Sequence, residues 1–344
     1  MISVAAERCA TAIENDYGRD WVIGFSGGKD STAALKLFLK GARLCGRRDL
    51  KITVIYCDTG VENPELDFFA KRTLAKLAAE LPNEFPNATV KLLQAPVAER
   101  FFVRIIGRGY APPSNRFRWC TKGLRIRPVE RYLSSTSASA AVVLGLRLGE
   151  SAQRDRSLSL GQGGQQIWQT QREGVRRDLF LPVVDFNLEL IWSAVLGIPF
   201  PTSIDALALE ELYRGASEEC PIVRSPISPP CASGRFGCWT CTVVRRDRSA
   251  ENLIRRGRTW LRPYLEFRDW LQDFRAAPGM RWPTRRNGAP GPGPFTVHAR
   301  GIILRELELL EADVDRELLS HEEIHAIHHL WLADHQAEAA LPLR

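Results

Sequence analysis

Residues 21–39 read WVIGFSGGKDSTAALKLFL and contain three successive structural signals. The first five residues are mostly apolar and predict a short buried strand. The adjacent Gly27 and Gly28 predict a tight turn, and the residues from Thr32 onward favour a helix with one apolar face. A strand, a glycine turn and a helix N-terminus together form a socket for phosphate, because backbone N–H groups and the positive end of the helix point at the anion.

The loop matches neither of the two common glycine-rich phosphate motifs. The P-loop requires a glycine and a hydroxyl where this chain has Ile23 and Asp30. The dinucleotide-binding pattern G-x-G-x-x-G is absent from the sequence. What remains is S-G-G-x-D-S at residues 26–31, which predicts a phosphate-binding loop of another kind. The alternative is a surface turn that caps a helix.

Composition sets broad limits on the class of protein. The 344 residues are 44% hydrophobic, which suits two modest domains or one α/β domain with a large appendage. The sequence has no apolar run of membrane-spanning length and no signal-peptide pattern, so we expect a cytoplasmic protein without membrane contact. The net charge of +7 is compatible with nucleic acid, and the eight cysteines favour metal or redox chemistry over disulfides.

Strand and helix patterns alternate over the first half of the chain. We expect strands at 21–25, 51–57, 88–93 and 141–146, separated by helices near 30–40, 64–81, 97–106 and 122–134. Phe180–Val184 could supply a fifth strand. This alternation predicts an α/β fold with a doubly wound parallel sheet, in which ligands bind at the carboxyl ends of the strands.

The second half of the chain is helical and irregular. Helical patterns are predicted at 187–197, 204–215, 249–256, 260–275, 301–319 and 321–336. A glycine- and proline-rich stretch at 288–294 predicts a linker. We therefore predict a nucleotide-binding domain at 1–185, a helical and cysteine-rich region at 186–286, and a linker with C-terminal helices at 287–344.

Two residues near predicted strand and helix ends are candidates for chemistry. Asp58 ends the second strand, where a carboxylate suits a ribose or a Mg²⁺ ion held by phosphates; the alternative is an ordinary turn. Cys120 lies among cations ahead of a helix, which predicts a lowered thiol pKa and a reactive cysteine. The alternative for Cys120 is a small buried apolar residue.

A further candidate follows the fourth strand. If residues 145–154 are helical, Arg147, Glu150, Ser151 and Arg154 share one face. Two guanidinium groups around a carboxylate can clamp phosphates while Glu150 orients them. The alternative is a surface ion-pair face.

Half of the cysteines fall within one short stretch: Cys220, Cys231, Cys238 and Cys241. Four thiolates can hold either Zn²⁺ or an iron–sulfur cluster. Structural zinc usually has two C-x-x-C pairs, whereas this stretch has one, so we expect a [4Fe–4S] cluster. Zinc and unligated thiols are the alternatives.

Arginines and aromatic residues alternate around these cysteines: Arg235, Arg245, Arg246, Arg248, Arg255, Arg256 and Arg258, with Trp239 and Trp260. This pattern is typical of surfaces that bind a phosphodiester backbone and stacked bases. The alternative is a solvated helix face with core tryptophans. Four histidines at 321, 325, 328 and 329 are interpreted as a solvated helix face.

Taken together, these motifs resemble the phosphoadenosine-phosphosulfate-reductase-like branch of the PP-loop ATP pyrophosphatases. Within it they are most similar to the DNA phosphorothioation, or DNA sulfur-modification, proteins of the DndC/SspD type. The resemblance covers about residues 15–265. Its motifs are the loop at 26–31, Tyr56–Thr59, Trp119–Thr121, Gly145–Ser151, Glu219–Pro221 and, most specific of all, residues 231–244.

Two departures from relatives in this branch restrict the activity. Reductases that act on the nucleotide sulfate carry a catalytic cysteine in a C-terminal tail, and no cysteine follows Cys241 here. The Cys-Cys pair of their iron–sulfur versions is also absent. Sulfate reduction is therefore disfavoured.

The resemblance implies an ATP pyrophosphatase and sulfurtransferase that uses Mg²⁺ and ATP to adenylate a DNA backbone phosphate for sulfur insertion. Pyrophosphate binding is assigned to the loop residues Ser26, Gly27, Gly28, Lys29 and Ser31. Asp30 would cap the helix or help to place Mg²⁺, and Asp58 would contact the nucleotide. The implied catalytic residues are Lys29, Asp30, Cys120, Arg147, Glu150 and Arg154.

The resemblance also implies roles for the arginines and the cysteines. Arg147 and Arg154 would neutralise developing charge, and Cys120 would carry sulfur, while Cys220, Cys231, Cys238 and Cys241 hold the cluster. The implied partners are DNA, a cysteine desulfurase as sulfur donor, and other DNA sulfur-modification subunits of a restriction–modification system. The alternatives are an iron–sulfur tRNA thiolase and a non-catalytic ATP- and DNA-binding subunit.

Overall fold

The computed structural model describes residues 1–16, 18–149, 167–170, 177–217 and 236–339. Their contacts divide the chain into two compact units. The first, here called the sheet unit, comprises Met1–Cys57, Pro64–Leu93 and Val129–Phe236, and the second, the thiol unit, comprises Asp58–Asn63, Gln94–Pro128 and Gly237–Arg344. The domain boundaries expected after residues 185 and 286 stay predictions.

A mostly parallel sheet runs through the sheet unit, as the alternating pattern predicts. The described strands are β1 Trp21–Gly24, β2 Ile52–Asp58, β3 Thr89–Gln94, β4 Ala141–Val143, β5 Trp168–Thr170 and β6 Asp178–Phe180, in the order β3-β2-β1-β4-β6-β5. In the register, Trp21 pairs in parallel with Ile52 on one side and with Ala141 on the other. β1 is therefore central.

Three strand details differ from the sequence-based expectation, and the first is that β4 ends at Val143 instead of residue 146. The strand expected at Phe180–Val184 instead spans Asp178–Phe180 and pairs in parallel with β4. The antiparallel strand β5, which pairs with β6, was not predicted. Three-residue strands give too short a pattern for their bounds to be read from periodicity.

Helices surround this sheet. They are α1 Ile2–Asn15, α2 Lys29–Leu44, α3 Pro64–Glu84, α4 Arg127–Ser134, α5 Leu188–Gly197 and α6 Ala206–Ser217. Helix α1 was not predicted and packs against α2, where a side chain on Gly41 would meet the Ala6 carbonyl at 2.8 Å. On β1, Trp21 contacts Phe38 of α2 with ring centroids 4.9 Å apart. Burial of these large rings fixes α2, and with it the loop that precedes it.

The thiol unit is built from short turns and helices around an aromatic core. Its elements are a 3₁₀ turn at Val97–Glu99, π-helical turns at Val103–Gly107 and Thr121–Ile126, α7 Arg248–Arg255, a 3₁₀ turn at Thr259–Leu261, α8 Arg262–Phe274, α9 Val297–Val314 and α10 His321–Ala339. Trp239 lies between Phe102 and Tyr264, at centroid distances of 5.7 and 5.1 Å. The buried Trp239 is thus a core residue rather than part of a surface.

The glycine- and proline-rich stretch at 288–294 forms hydrogen-bonded turns within the thiol unit. Gly291 N donates to Pro283 O at 2.8 Å, and Gly293 N donates to Trp282 O at 2.7 Å. Across the described residues, no helix has both the length and the apolar content that a bilayer crossing requires.

Candidate phosphate loop and thiol site

The phosphate loop connects β1 to α2, and its shape depends on glycine. Gly27 has a φ of +73°, a conformation that residues with a side chain rarely adopt. A Cβ atom on Gly27 would also lie 2.7 Å from the Cβ atom of Ala70 on α3. Both the conformation and the close approach of α3 therefore require glycine at this position.

Two serine side chains brace the loop from within. Ser31 Oγ donates to Gly28 O at 2.9 Å and accepts from Ser26 N at 3.1 Å. The two serine hydroxyls are 3.0 Å apart. The loop is thus held in one shape by its own side chains, and preorganisation of this kind lowers the cost of binding an anion.

Asp30 lies between two cations beside the loop. Its carboxylate oxygens are 3.2 Å from Lys29 Nζ and 2.7 Å from Arg147 Nε. Burial of Lys29, which is only 8% exposed, opposes its charge, but Tyr213 and Asp30 outweigh burial and the pKa of Lys29 is raised. The structure therefore holds Lys29 as a cation at the helix N-terminus.

The helix-capping role suggested for Asp30 is wrong. Gly28 is the N-cap residue, and it has no side chain to accept a capping hydrogen bond. Asp30 orients Arg147 and Lys29 instead. The placement of Mg²⁺ by Asp30 stays a prediction.

Arg147 reaches Asp30 from an irregular segment after β4. The shared face considered for residues 145–154 depended on a helix there, and the described part is not helical: 144–147 have no regular structure and 148–149 form a turn. A Cβ atom on Gly145 would lie 2.6 Å from Ser31 N, so only glycine lets this segment approach the loop. Glu150, Ser151 and Arg154 lie outside the described residues.

Tyr213 of α6 covers the loop, although it belongs to no motif of the sequence. Its hydroxyl accepts a hydrogen bond from Lys29 N at 3.3 Å, and Lys29 Nζ lies 4.7 Å from its ring centroid. Trp192 and Phe236 contact the ring edge to face, at centroid distances of 5.5 and 5.0 Å. No local motif marks Tyr213, because its role arises from packing between segments far apart in the sequence.

In the thiol unit, Asp58 lines a cavity of about 70 Å³. Its carboxylate accepts from Gly60 N at 2.9 Å and from Gln94 Nε2 at 3.0 Å. Arg100 in turn donates to Gln94 Oε1 at 3.1 Å and pairs with Glu323 at 3.5 Å. This chain of polar contacts fixes the carboxylate at the cavity wall. Its contact with a nucleotide stays a prediction.

Cys238 and Cys241 lie on one turn of the thiol unit, where Cys241 N donates to Cys238 O at 2.9 Å. Arg125 Nη2 donates to Cys238 Sγ at 3.6 Å and to Glu62 Oε1 at 2.7 Å. Burial, and then the charge of Glu62, raise the pKa of Cys238. In the absence of another cation, Cys238 therefore favours its protonated thiol form.

The lowered pKa expected for Cys120 is wrong. Burial raises the pKa of this thiol, and the charge of Cys241 adds to the effect, whereas hydrogen bonding to Thr121 and the charge of Arg125 offset only part of it. Cys120 is thus electrostatically coupled to Cys241. Its role as a sulfur carrier stays a prediction.

The thiols of the described turn suit a soft metal centre. Thr240, between the two cysteines, also has a buried hydroxyl without a hydrogen-bond partner. No group of three or more His, Cys, Asp or Glu side chains is arranged to hold a metal within the described parts of the chain. Cys220 and Cys231 lie outside those parts, so the [4Fe–4S] cluster and its zinc alternative stay predictions.

Comparison with solved structures gives weak similarities. A Candida glabrata FMN adenylyltransferase is 13% identical over 90% of this chain and 80% of that one, with a TM-score of 0.38. In the complex of that enzyme with FMN and the ATP analogue AMPCPP, identity is 14% over 57% of this chain and 54% of the other, with a TM-score of 0.36, so only about half of the enzyme's length is spanned. A Candida auris phosphoadenylyl-sulfate reductase in a phosphate complex is 11% identical over 56% and 78%, with a TM-score of 0.37. None of these similarities carries a functional argument.

The comparison with protein families is decisive. No curated protein matches the chain. The family model for the phosphoadenosine phosphosulfate reductase domain matches residues 20–196, more than half of the sequence. These residues contain the phosphate loop with its neighbours Asp30 and Arg147, and the described strands of the sheet. The chain therefore belongs to the phosphoadenosine phosphosulfate reductase domain family.

Proposed function

We propose that the protein is an ATP pyrophosphatase that adenylates a DNA backbone phosphate so that sulfur can replace one of its oxygens. The observation that supports ATP binding and pyrophosphate release in this proposal is the braced loop with its two cations. Lys29 and Arg147 lie on either side of Asp30 at a helix N-terminus. Such an arrangement suits the charge of a departing pyrophosphate.

The DNA phosphate must be activated before sulfur can replace an oxygen, because a non-bridging phosphate oxygen is a poor leaving group. In the proposed reaction, that oxygen attacks the α-phosphorus of ATP, expels pyrophosphate and forms a mixed anhydride with AMP. A persulfide sulfur then attacks the DNA phosphorus and expels AMP. A second thiol cleaves the resulting S–S bond, which leaves the phosphorothioate and a disulfide.

The residues divide between these steps. The loop N–H groups and Lys29 hold the β- and γ-phosphates, and Arg147 stabilises charge as pyrophosphate leaves; loss of one such group costs about 3 kcal/mol in comparable sites. Cys120 is the proposed persulfide carrier, charged by a cysteine desulfurase. A [4Fe–4S] cluster, when bound, would supply redox or sulfide chemistry and would be held by Cys238 and Cys241 together with Cys220 and Cys231.

The first experiment tests whether the phosphate loop is required for phosphorothioation in cells. DNA is digested from cells that carry the wild-type protein, Lys29→Ala or Lys40→Ala, and phosphorothioate dinucleotides are measured by mass spectrometry. Lys40 lies on the same helix α2 but outside the loop, so its variant is the matched control. We expect the dinucleotides in wild type and Lys40→Ala, and none in Lys29→Ala.

Other outcomes contradict the proposal in distinct ways. Phosphorothioates that persist in Lys29→Ala would exclude the loop from the reaction. Thiolated tRNA nucleosides in place of phosphorothioates would change the substrate to RNA. Purified protein that binds ATP but releases no pyrophosphate with DNA would be a nucleotide-binding subunit rather than an enzyme.

A further inference from the structure

A dense group of exposed cations lies on the thiol unit between residues 245 and 262. We call it the arginine surface, and it consists of the exposed side chains of Arg245, Arg246, Arg248, Arg255, Arg256, Arg258 and Arg262 together with Trp260. Only two carboxylates, Asp247 and Glu251, occur in the same stretch of sequence. The local charge is therefore strongly positive.

Both of these carboxylates are already engaged. Asp247 caps α7 by accepting a hydrogen bond from Ala250 N at 3.0 Å. Glu251 accepts two hydrogen bonds from Arg246, each 2.9 Å long. Within the described chain, the arginines of the surface that have no carboxylate partner include Arg245, Arg248, Arg256 and Arg262. These four guanidinium groups are available to an anionic partner.

The start of the arginine surface is anchored by a buried guanidinium group. Arg268 of α8 is 1% exposed and donates to Cys241 O at 3.0 Å, to Arg245 O at 3.2 Å and to Val244 O. These bonds fix the backbone from the cysteine turn to the first surface arginine. Because the two residues are four apart, Arg245 lies within about 14 Å of Cys241 along the chain.

Trp260 adds a different kind of contact. It lies in the 3₁₀ turn Thr259–Leu261, between Arg258 and Arg262, and is 46% exposed. Tyr264 contacts its ring edge to face, with a centroid distance of 6.1 Å, and so orients it. An oriented, exposed indole flanked by arginines suits stacking of an unpaired base, because every base has an aromatic face.

We infer that the arginine surface binds a DNA strand, with phosphates on the unpartnered arginines and one unpaired base on Trp260. The positive charge of the arginines indicates a polyanionic ligand, and the exposed indole of Trp260 indicates a stacked base. That the strand is DNA rests on the proposed function. The anchored backbone between Cys241 and Arg245 keeps the first arginine of the surface within about 14 Å of the cysteine turn.

The test measures binding of fluorescently labelled single-stranded DNA by anisotropy between 50 and 200 mM KCl, with full-length protein. The slope of log K against log salt is negative, and each lost phosphate contact makes it less negative by about 0.7 for a single strand. The variant Arg248→Gln/Arg256→Gln should therefore make the slope less negative by about 1.4. The matched control is Arg305→Gln, an exposed arginine on α9 of the same unit.

The stacking contact has its own pair of variants. Trp260→Ala should weaken single-strand binding on the order of tenfold with little change in the salt slope. Trp282→Ala removes an equally exposed tryptophan, at 47%, from the same unit and should leave binding unchanged. Circular dichroism and thermal unfolding of each variant show that it is folded.

Unchanged salt slope in Arg248→Gln/Arg256→Gln, or equal loss in the two controls, would overturn the inference. Preference for RNA of the same sequence, or for anionic lipid vesicles, would overturn the choice of DNA. Lys29→Ala should bind DNA as wild type does. Binding through the arginine surface without pyrophosphate release or phosphorothioates would refute the proposed function and leave the surface standing.

Discussion

At the scale of single residues, the phosphate loop is defined by what each side chain does to its neighbours. Asp30 orients two cations, and the paired serines brace the turn. Tyr213 is different, because its hydroxyl accepts the hydrogen bond from Lys29 N that could otherwise go to a phosphate oxygen. A nucleotide whose phosphate accepts a hydrogen bond from Lys29 N would have to displace this hydroxyl.

Removal of that hydroxyl should tighten nucleotide binding. Tyr213→Phe keeps the ring over Lys29 but deletes the competing acceptor, so the Kd for a non-hydrolysable ATP analogue should fall about two- to tenfold, the worth of one hydrogen bond. Isothermal titration calorimetry measures it, with Tyr132→Phe in the same unit as the control. A weaker affinity would instead mean that the hydroxyl binds the phosphates directly.

Gly145 should be irreplaceable even by alanine. The added Cβ atom would lie 2.6 Å from Ser31 N, so the segment that carries Arg147 must move away from the loop. We expect Gly145→Ala to lose about 1–3 kcal/mol of unfolding free energy in chemical denaturation, together with its ATP affinity. Gly197→Ala, where nothing lies within 4 Å of the added atom, is the control and should show neither loss.

At the scale of elements, the sequence predicts the strands and helices that have a periodic apolar pattern. It does not predict features that depend on contacts between residues far apart in the chain. Long strands and helices such as β2 and α3 follow from their periodicity, and the S-G-G-x-D-S turn locates the candidate loop. Arg147 was found, but in a loop instead of a helix, because close approach to Asp30 overrides local propensity. Tyr213 leaves no local signal, since only the fold brings α6 to the loop.

The Glu80 carboxylate links α3 to the connection between α5 and α6. Glu80 accepts hydrogen bonds from the backbone N–H and hydroxyl groups of Thr202 and Ser203. Burial raises the pKa of Glu80, but these hydrogen bonds outweigh it and the pKa lies below its usual 4.5. The unfolded state then binds the proton more tightly, so the contribution to stability is complete above pH 4.5 and is lost as the pH falls through the folded pKa.

This linkage gives a measurable difference between variants. The unfolding free energy of wild type should exceed that of Glu80→Gln at pH 7, and the gap should narrow as the pH falls below 4.5. Urea unfolding at several pH values measures it. Glu65→Gln, on the same helix, serves as the control. A gap that stays constant with pH would show that the carboxylate charge is not what stabilises this contact.

A buried lysine joins two other elements. Lys36 of α2 donates to Val195 O and Ile198 O at the C-terminal end of α5, at 2.7 and 2.8 Å. Burial lowers the pKa of Lys36 to about 8. The unfolded state therefore binds more protons above pH 8, and wild type should gain stability relative to Lys36→Met as the pH rises from 8 to 10. A stability difference between wild type and Lys36→Met that does not change from pH 8 to 10 would contradict the lowered pKa of Lys36.

At the scale of the whole molecule, the two candidate sites have separate structural supports. Among the described residues, the contacts named above for the phosphate loop lie within the sheet unit, and those named for the cysteine turn and the arginine surface lie within the thiol unit. A substitution that alters the local chemistry of one site without unfolding its unit should therefore leave ligand binding at the other unchanged.

Metal content and nucleotide affinity test this separation together. Cys241→Ser keeps the backbone carbonyl that Arg268 binds and deletes one predicted metal ligand. The iron or zinc content, measured by mass spectrometry of anaerobically purified protein, should therefore fall. The Kd for the ATP analogue should stay at the wild-type value. Lys29→Ala should show the reverse, with full metal content and weakened ATP binding. Cys45→Ser, in the sheet unit, should change neither. Wild-type protein without iron or zinc would exclude the metal centre, and loss of ATP affinity in a folded Cys241→Ser variant would show that the sites are coupled.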